Sequence, residues 1–550
     1  MKHSHTLLAI ILAGMLAGCT DPATTRKPPP RLTIVLVIGQ FRYDYLQRFA
    51  GYWQGGIAKL RQEGAVFSNA HHEHAITACA PGHATLLTGA HPARHGIVGD
   101  QWFDRERGKM ISCIADSASL NSSSSPSIHK SPLQLQATTL GDWLKQQDSS
   151  ATVVSISGQD HAAILMGGRR ADGVYWFDDN TGAFVSSSAY DQEAPAWLRE
   201  WNVQRYAERY RQTVWEKLLP ESAYFAARED LFAAEGDGMN TTFPHGLEEL
   251  SPDADTSFYA HLMASPFGDF LTLEFAQAAM RAHALGQDDH PDLLCLSLSA
   301  TEAIGRAFGP LSQEMQDHLL RLDLQLGNFF AWLEANIGLN NCAIVFASDH
   351  GVMPLPEELR RRGFEAARVP REEMQREIDG IMQEAQANAD TATDSTAAIL
   401  LNGIYFSRLA AAGGVRIDLR QRAENFQSLS FVAKVFPAHL SGDQNEVSEN
   451  FLARFRHAHF AGRSPDLFLH RKPFYLLGGE SPLGTQHGSE YDYDTHVPLV
   501  FWGAPFRAGQ YERKIATVDF APTLAFALGI SVMEKVDGRV LPEAVKRQND

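Results

Sequence analysis

Three short stretches carry side chains able to do chemistry. Asp349-His350-Gly351 sets two ligand-type side chains side by side at the end of the apolar run Ala343–Ala347, which suits a metal ion or an acid–base pair. His487-Gly488-Ser489 adds an imidazole in the turn-rich stretch Gly484–Asp494, just ahead of another apolar run. Cys79-Ala80-Pro81-Gly82-His83 is the third. Pro81 suits the first turn of a helix, so Cys79 is expected at the positive end of that helix. A thiol there has a lowered pKa and can serve as nucleophile or metal ligand. His83 is expected to support the helix terminus. His71, His72 and His74 lie in a polar stretch and are expected to face solvent.

These residues need elements to hold them. Leu32–Ile38 is a continuous β-rich apolar run, as a strand buried on both faces requires. Similar runs occur at Thr152–Ile156, Leu293–Leu298, Ala343–Phe346 and Pro498–Trp502. Helical patterns separate several of them, most clearly Gln313–Ile337, with Leu319, Leu320, Leu322, Leu324, Leu326, Phe329, Phe330 and Leu333 on a broad apolar side. The alternation predicts an α/β fold, a mainly parallel sheet sandwiched by helices. Sites in such folds gather at the carboxyl ends of strands. That singles out Gly39-Gln40, Ser157–His161, Ser299–Arg306 and Ser348-Asp349-His350. Two irregular stretches, near 102–289 and 355–479, are too long for loops and are expected to be cap insertions. Ser117–Ser127 reads as a serine-rich surface loop.

The chain has 550 residues, 44% hydrophobic and 21% charged, with a formal net charge of −17. A polytopic membrane protein or a disordered chain is excluded, and a phosphate-tracking nucleic-acid binder is not expected. Leu7–Leu16 is an apolar run too short to span a bilayer stably, and it leads into Leu16-Ala17-Gly18-Cys19. Small residues before a cysteine resemble the lipobox of bacterial lipoproteins. The resemblance implies a signal peptide over 1–18, lipidation of Cys19 and a tether over 19–30. Thr20 follows the cysteine where aspartate would mark an inner-membrane protein, so resemblance to the lipoprotein sorting rule in enterobacteria implies an outer-membrane anchor in the cell envelope. Cys79, Cys113, Cys295 and Cys342 remain, and an oxidising compartment permits up to two disulfides. The plain expectation for Cys295 and Cys342 is a small buried side chain.

Ala80-Pro81-Gly82-His83-Ala84-Thr85, Thr88-Gly89, His95-Gly96-Ile97-Val98-Gly99, Trp176-Phe177-Asp178, Phe308-Gly309-Pro310, Asp349-His350-Gly351-Val352, His487-Gly488-Ser489, Asp494-Thr495-His496-Val497-Pro498 and Asp519-Phe520-Ala521-Pro522-Thr523 together resemble the alkaline phosphatase superfamily. The likeness is to periplasmic bacterial alkaline phosphatases with a threonine nucleophile, which share their core with nucleotide pyrophosphatases/phosphodiesterases. It runs from about Leu32 to Ile530 and implies one alkaline-phosphatase-like domain over 31–545, with the cap insertions inside it. It implies a metal-dependent phosphoric ester hydrolase with two zinc ions about 4 Å apart clamping the attacking and leaving oxygens.

Carried across residue by residue, that resemblance predicts an altered site. The aspartate expected after the first strand is Gly39, a lost ligand position. The nucleophile position is Cys79. The Asp-His pair is kept as Asp349 and His350. The second zinc's Asp-x-x-x-His reads Glu302 and Arg306, with its distant histidine kept as His487. The substrate-positioning asparagine matches Asp100, and the lysine and arginine that hold the phosphoryl group match Gln159 and His161.

Two zinc ions are therefore not expected; zero or one is, on Cys79, Asp349, His350 and His487. Asp100, Gln159, His161, Glu302 and Arg306 are expected to line the substrate pocket. Arg306, always protonated, is expected to take the place and charge of one zinc and to pair with Glu302 one turn away. The favoured reading is a lipoprotein without two-zinc catalysis that binds a small anionic ligand or a protein partner. The alternative is a one-metal phosphoester hydrolase using Cys79. A sulfatase-like hydrolase, suggested by Cys79-Ala80-Pro81-Gly82-His83, lacks the motif's arginine at His83 and the paired aspartates at Gly39-Gln40.

Overall fold

The computed structural model describes residues 29–116, 129–191, 193–236, 241–248, 258–387, 396–400, 403–406, 418–439, 449–478 and 483–546. Cys19, the leader, the tether up to Pro28 and the serine loop Ser117–Ser127 lie outside the described residues. The central sheet is built from β1 (Leu32–Ile38), β2 (Ala65–His71), β3 (Val153–Ser157), β4 (Gly173–Asp178), β5 (Ala183–Val185), β6 (Asp292–Leu298), β7 (Cys342–Ala347), β8 (His496–Gly503) and β9 (Gly509–Tyr511). Their order is β9-β2-β8-β7-β1-β6-β3-β4-β5, with Ile515–Ala516 added beside β2. Strands β7, β1, β6, β3 and β4 are parallel neighbours; β8 runs antiparallel between β7 and β2.

The β1 run shows why the sheet is covered on both faces. Ile34, Leu36 and Ile38 belong to one apolar cluster with Leu319, Leu322, Leu326 and Phe330, while Val35 and Val37 belong to another with Leu86, Phe501 and Leu524. The period of two sends alternate side chains to opposite faces, and both faces find helices. The helix predicted over 313–337 is observed as Gln313–Asn336; of its apolar side only Leu324 is exposed. Cys295 on β6 and Cys342 at the start of β7 are small buried residues as expected. The allowance for disulfides is corrected, because Cys79, Cys113, Cys295 and Cys342 are all free and buried.

The expected cap near 102–289 needs correction too. That stretch contributes β3, β4 and β5 to the central sheet, because its apolar segments are buried like those of β1. Within 355–479 a separate four-stranded antiparallel sheet is formed by Thr396–Leu400, Gly403–Phe406, Val432–Pro437 and Leu467–Arg471. Among the described residues, no helix is long and apolar enough to cross a membrane.

Helix α1 (Cys79–Thr88) is seated directly on the end of β7. A Cβ on Gly82 would lie 2.2 Å from the backbone oxygen of Asp349, so only glycine allows this approach. Gly82→Ala is expected to cost about 3 kcal/mol of stability by overpacking. A urea midpoint equal to that of the unmodified chain would contradict this contact.

Candidate functional site

The carboxyl ends of the parallel strands, together with the start of antiparallel β8, converge at one edge of the sheet. Gly39 follows β1, Gln159 and His161 follow β3, Ser348-Asp349-His350 follow β7, and Glu302 stands on α2 (Ala300–Phe308) after β6. His487 arrives in the segment leading to β8. Sequence positions from 39 to 487 thereby share one small volume.

At its centre Cys79, Glu302, His350 and His487 each present one ligand atom, all within 4.8 Å of one another. Cys79 Sγ lies 3.2 Å from His350 Nε2, and Glu302 Oε1 lies 3.5 Å from His487 Nε2. Both imidazoles are oriented from behind. His350 Nδ1 donates to the Gly351 carbonyl at 2.8 Å and His487 Nδ1 donates to the Thr77 carbonyl at 2.9 Å. A carbonyl can only accept, so each Nδ1 carries hydrogen and each Nε2 faces the cluster. This is the outer-shell arrangement that holds histidines for a metal. Gln159 Nε2 donates to Glu302 Oε2 at 2.9 Å and fixes the carboxylate in the same way. One thiol, one carboxylate and two imidazoles form a donor set that suits zinc. Among the described residues no other group of three or more such donors converges.

Of the expected ligands, Cys79, His350 and His487 converge in this group, and Glu302 joins them. Glu302, 5% exposed, stands in the cluster, whereas Asp349 stands beside it. Asp349 Oδ1 accepts from the backbone of Gln40 and His350, both at 2.9 Å. Its Oδ2 is buried without a hydrogen bond, 3.5 Å from both His350 Nε2 and His83 Nδ1. Gly39 borders this oxygen: a Cβ there would be 3.8 Å from Asp349 Oδ2 and 3.6 Å from Glu302 Cβ, leaving room for the side chain that glycine lacks.

Arg306 departs from expectation. It is exposed, and among the described residues its guanidinium makes no ion pair. Glu302 is engaged instead by Gln159 and His487, while Arg306, one turn further along the same side of α2 but exposed, acts on it only through its charge. Asp100 is exposed and its Oδ1 accepts from the Ala80 amide at 2.8 Å, stabilising the first turn of α1. His161 Nδ1 lies 3.1 Å from Asp160 Oδ1, and its Nε2 is buried without a partner.

The electrostatics reverse one expectation. Burial, and then the carboxylates of Glu302, Asp349 and Asp100, push the Cys79 thiol well above its ordinary range, although it begins a helix. Burial, together with three negative neighbours, outweighs one helix terminus. Burial also works against the charge on Glu302, but the hydrogen bond and charge of His487 hold that carboxyl well below the usual range. Burial opposes the charge on His161, yet the bond to Asp160 and the carboxylates of Asp100 and Glu302 raise it to about 9. His161 is therefore an imidazolium at neutral pH.

His71, His72 and His74 are buried rather than solvent-facing, because the end of β2 is covered by the start of β8 and by Thr517. Burial drives His71, His91, His95 and His318 down to about 3. These groups are neutral in the folded chain and take up protons on unfolding below pH ~6.5. Stability is thus expected to fall as pH drops from about 6.5 toward 3, by ~1.4 kcal/mol per pH unit for each histidine. Urea midpoints compared at about pH 7 and about pH 5 read this loss, and equal midpoints would contradict it.

Sequence reasoning had no signal for the Thr77 carbonyl or for Gln159 as the residue holding Glu302; both are contacts between distant segments.

The chain matches the type I phosphodiesterase / nucleotide pyrophosphatase family over residues 33–490. It is 30% identical to alkaline phosphatase PafA of Elizabethkingia meningoseptica, covering 98% of each chain. It is 31% identical to alkaline phosphatase PhoV of Synechococcus elongatus, covering 96% of this chain and 94% of the relative. The crystal structure of wild-type PafA superposes with a TM-score of 0.86 at 29% identity, over 94% of this chain and 100% of that one.

Proposed function

Because the chain belongs to the type I phosphodiesterase / nucleotide pyrophosphatase family and is close to PafA-like bacterial alkaline phosphatases, we propose that it keeps their cleft but holds a single zinc ion there and binds a phosphate-bearing ligand without two-metal turnover. The observation that carries this reading is the four-donor cluster with both Nε2 atoms turned inward, set beside a bare Gly39 and an outward Arg306. Cys79, Glu302, His350 and His487 would hold the ion. Bound zinc supplies positive charge to an anionic oxygen and relieves the crowding of carboxylates around the thiol. His161, with its Nε2 buried and unpartnered, adds positive charge within reach of the Glu302 and Asp100 carboxylates. Asp100, by contrast, brings negative charge to the mouth. The net effect is a cleft able to hold a phosphoryl group with fewer cations than a two-zinc phosphatase uses.

A lipid anchor at Cys19 and residence in the bacterial outer membrane, facing the periplasm or the cell surface, complete the proposal. They rest on the residues around Cys19. In that setting the protein serves as a binding or scaffolding lipoprotein for a small anionic ligand or another protein.

A second reading is a one-metal phosphoester hydrolase, favoured by the 3.2 Å contact between Cys79 Sγ and His350 Nε2, which pairs a thiol with a base. Elemental analysis of the soluble chain after zinc reconstitution and dialysis decides the metal content. One zinc per chain is expected; two would overturn the proposal, and none would leave only the ligand-binding half of it.

A further inference from the structure

A cavity of about 680 Å3 has Gln159, Ser299 and Ala303 in its wall. Gln159 joins it to the donor cluster, because its side-chain amide bonds Glu302, and Ser299 and Ala303 flank Glu302 in the chain. The composition of the wall is one-sided. Three carboxylates line it, Asp160, Asp178 and Asp179, against one lining cation, Lys130, with His161 holding the other oxygen of Asp160 from outside the wall. The amide nitrogen of Gln159 is already spent on Glu302, which leaves its oxygen as a further acceptor.

Lys130 shows how an ammonium is held there. Its Nζ lies 2.5 Å from Asp160 Oδ2 and 5.8 Å from the centre of the Trp176 ring. A carboxylate on one side and an aromatic ring on the other are the two features that recognise an organic cation. The chain's own side chain thus occupies the place of such a group, at the edge of a space large enough for a separate one.

We propose that this cavity accepts the ammonium-bearing arm of a zwitterionic phosphate ester, and that Lys130 competes with that arm for Asp160 and Trp176. The proposal rests on the reading of the neighbouring cluster as a phosphate-binding cleft. A dianionic or purely acidic arm is disfavoured by the three carboxylates. A neutral arm gains nothing from them.

The test uses a matched pair of ligands on the full soluble chain, phosphocholine and its uncharged isostere 3,3-dimethylbutyl phosphate, measured by calorimetry. Their shapes agree and only the ammonium differs. Phosphocholine is expected to bind about tenfold more tightly. Lys130→Met is expected to widen that ratio by about threefold, since the internal competitor is removed. Asp179→Asn, a surface change that leaves the fold intact, is expected to narrow it. A ratio near one or inverted in the unmodified chain overturns the proposal, as does a ratio that narrows in Lys130→Met or binding of neither compound at millimolar concentration. Zinc content is measured on the same samples. Two zinc ions per chain with a preserved ammonium preference would sink the single-metal reading alone; one zinc with no preference would sink this inference alone.

Discussion

Cys79→Ala is expected to weaken zinc binding by about 10^3-fold or more, so that the metal is lost during gel filtration. The thiol is the softest of the four donors, and its own surroundings explain the size of the effect. Without a cation, burial and the charges of Glu302, Asp349 and Asp100 keep Cys79 protonated. A divalent ion removes that penalty by binding the thiolate, so the metal and the carboxylates are mutually dependent. Removing sulfur leaves one carboxylate and two imidazoles, a set that zinc uses mainly with a fourth ligand from solvent. Cobalt substitution gives an independent readout: a sulfur-to-cobalt charge-transfer band is expected in the unmodified chain and absent from Cys79→Ala. Cys113→Ala, buried outside the donor group, is expected to retain the metal. Zinc held equally well by Cys79→Ala would refute the assignment of the thiol as a ligand.

The second large effect concerns turnover of phosphomonoesters. The kcat/KM for an aryl phosphate is expected to lie at least ~10^4-fold below that of a two-zinc family member, since each lost charge-stabilising group costs ~10^2–10^3. Gln159 is neutral and committed to Glu302, and Asp100 is turned to the Ala80 amide. Gly39 offers no oxygen beside Asp349 Oδ2, so that buried carboxylate lacks a companion ligand. Gly39→Asp alone is expected to leave turnover low, because Arg306 remains outside the cluster and still supplies no ligand. Beside the proposed single zinc, the cation strength that this chain's own side chains supply comes from His161, which loses its proton as pH rises through about 9. Phosphate binding by the chain is therefore expected to weaken above that pH. A steady turnover comparable to that of two-zinc relatives, lost in Cys79→Ala, would replace the binding-protein reading with that of an active hydrolase.

How much of this was written in the order of residues differs between fold and site. The sheet was legible because burial of β1, β6 and β7 is a property of consecutive apolar side chains, and each run declares itself locally. Strand ends follow from strands, so the neighbourhoods of Gly39, Gln159, Glu302 and Asp349 were also within reach. The start of α1 at Cys79 followed from Pro81, again a local constraint.

The membership of the site was not legible in that way. Glu302 and Arg306 are one helical turn apart on one side of α2, yet one is buried in the cluster and the other exposed, since distant segments pack over the first and not over the second. Asp349 and His350 are adjacent, yet His350 turns its Nε2 toward Cys79 while Asp349 spends one oxygen on the Gln40 amide. The Cys79 thiol shows the same division most plainly. Its helix start lowers its pKa by local rules, but carboxylates from three distant segments raise it, and those reach it only once the chain has folded. Local periodicity determined the scaffold, because secondary structure depends on neighbours in sequence. Tertiary structure decided which candidate donors meet and what charge surrounds them, because electrostatic energies sum over neighbours in space.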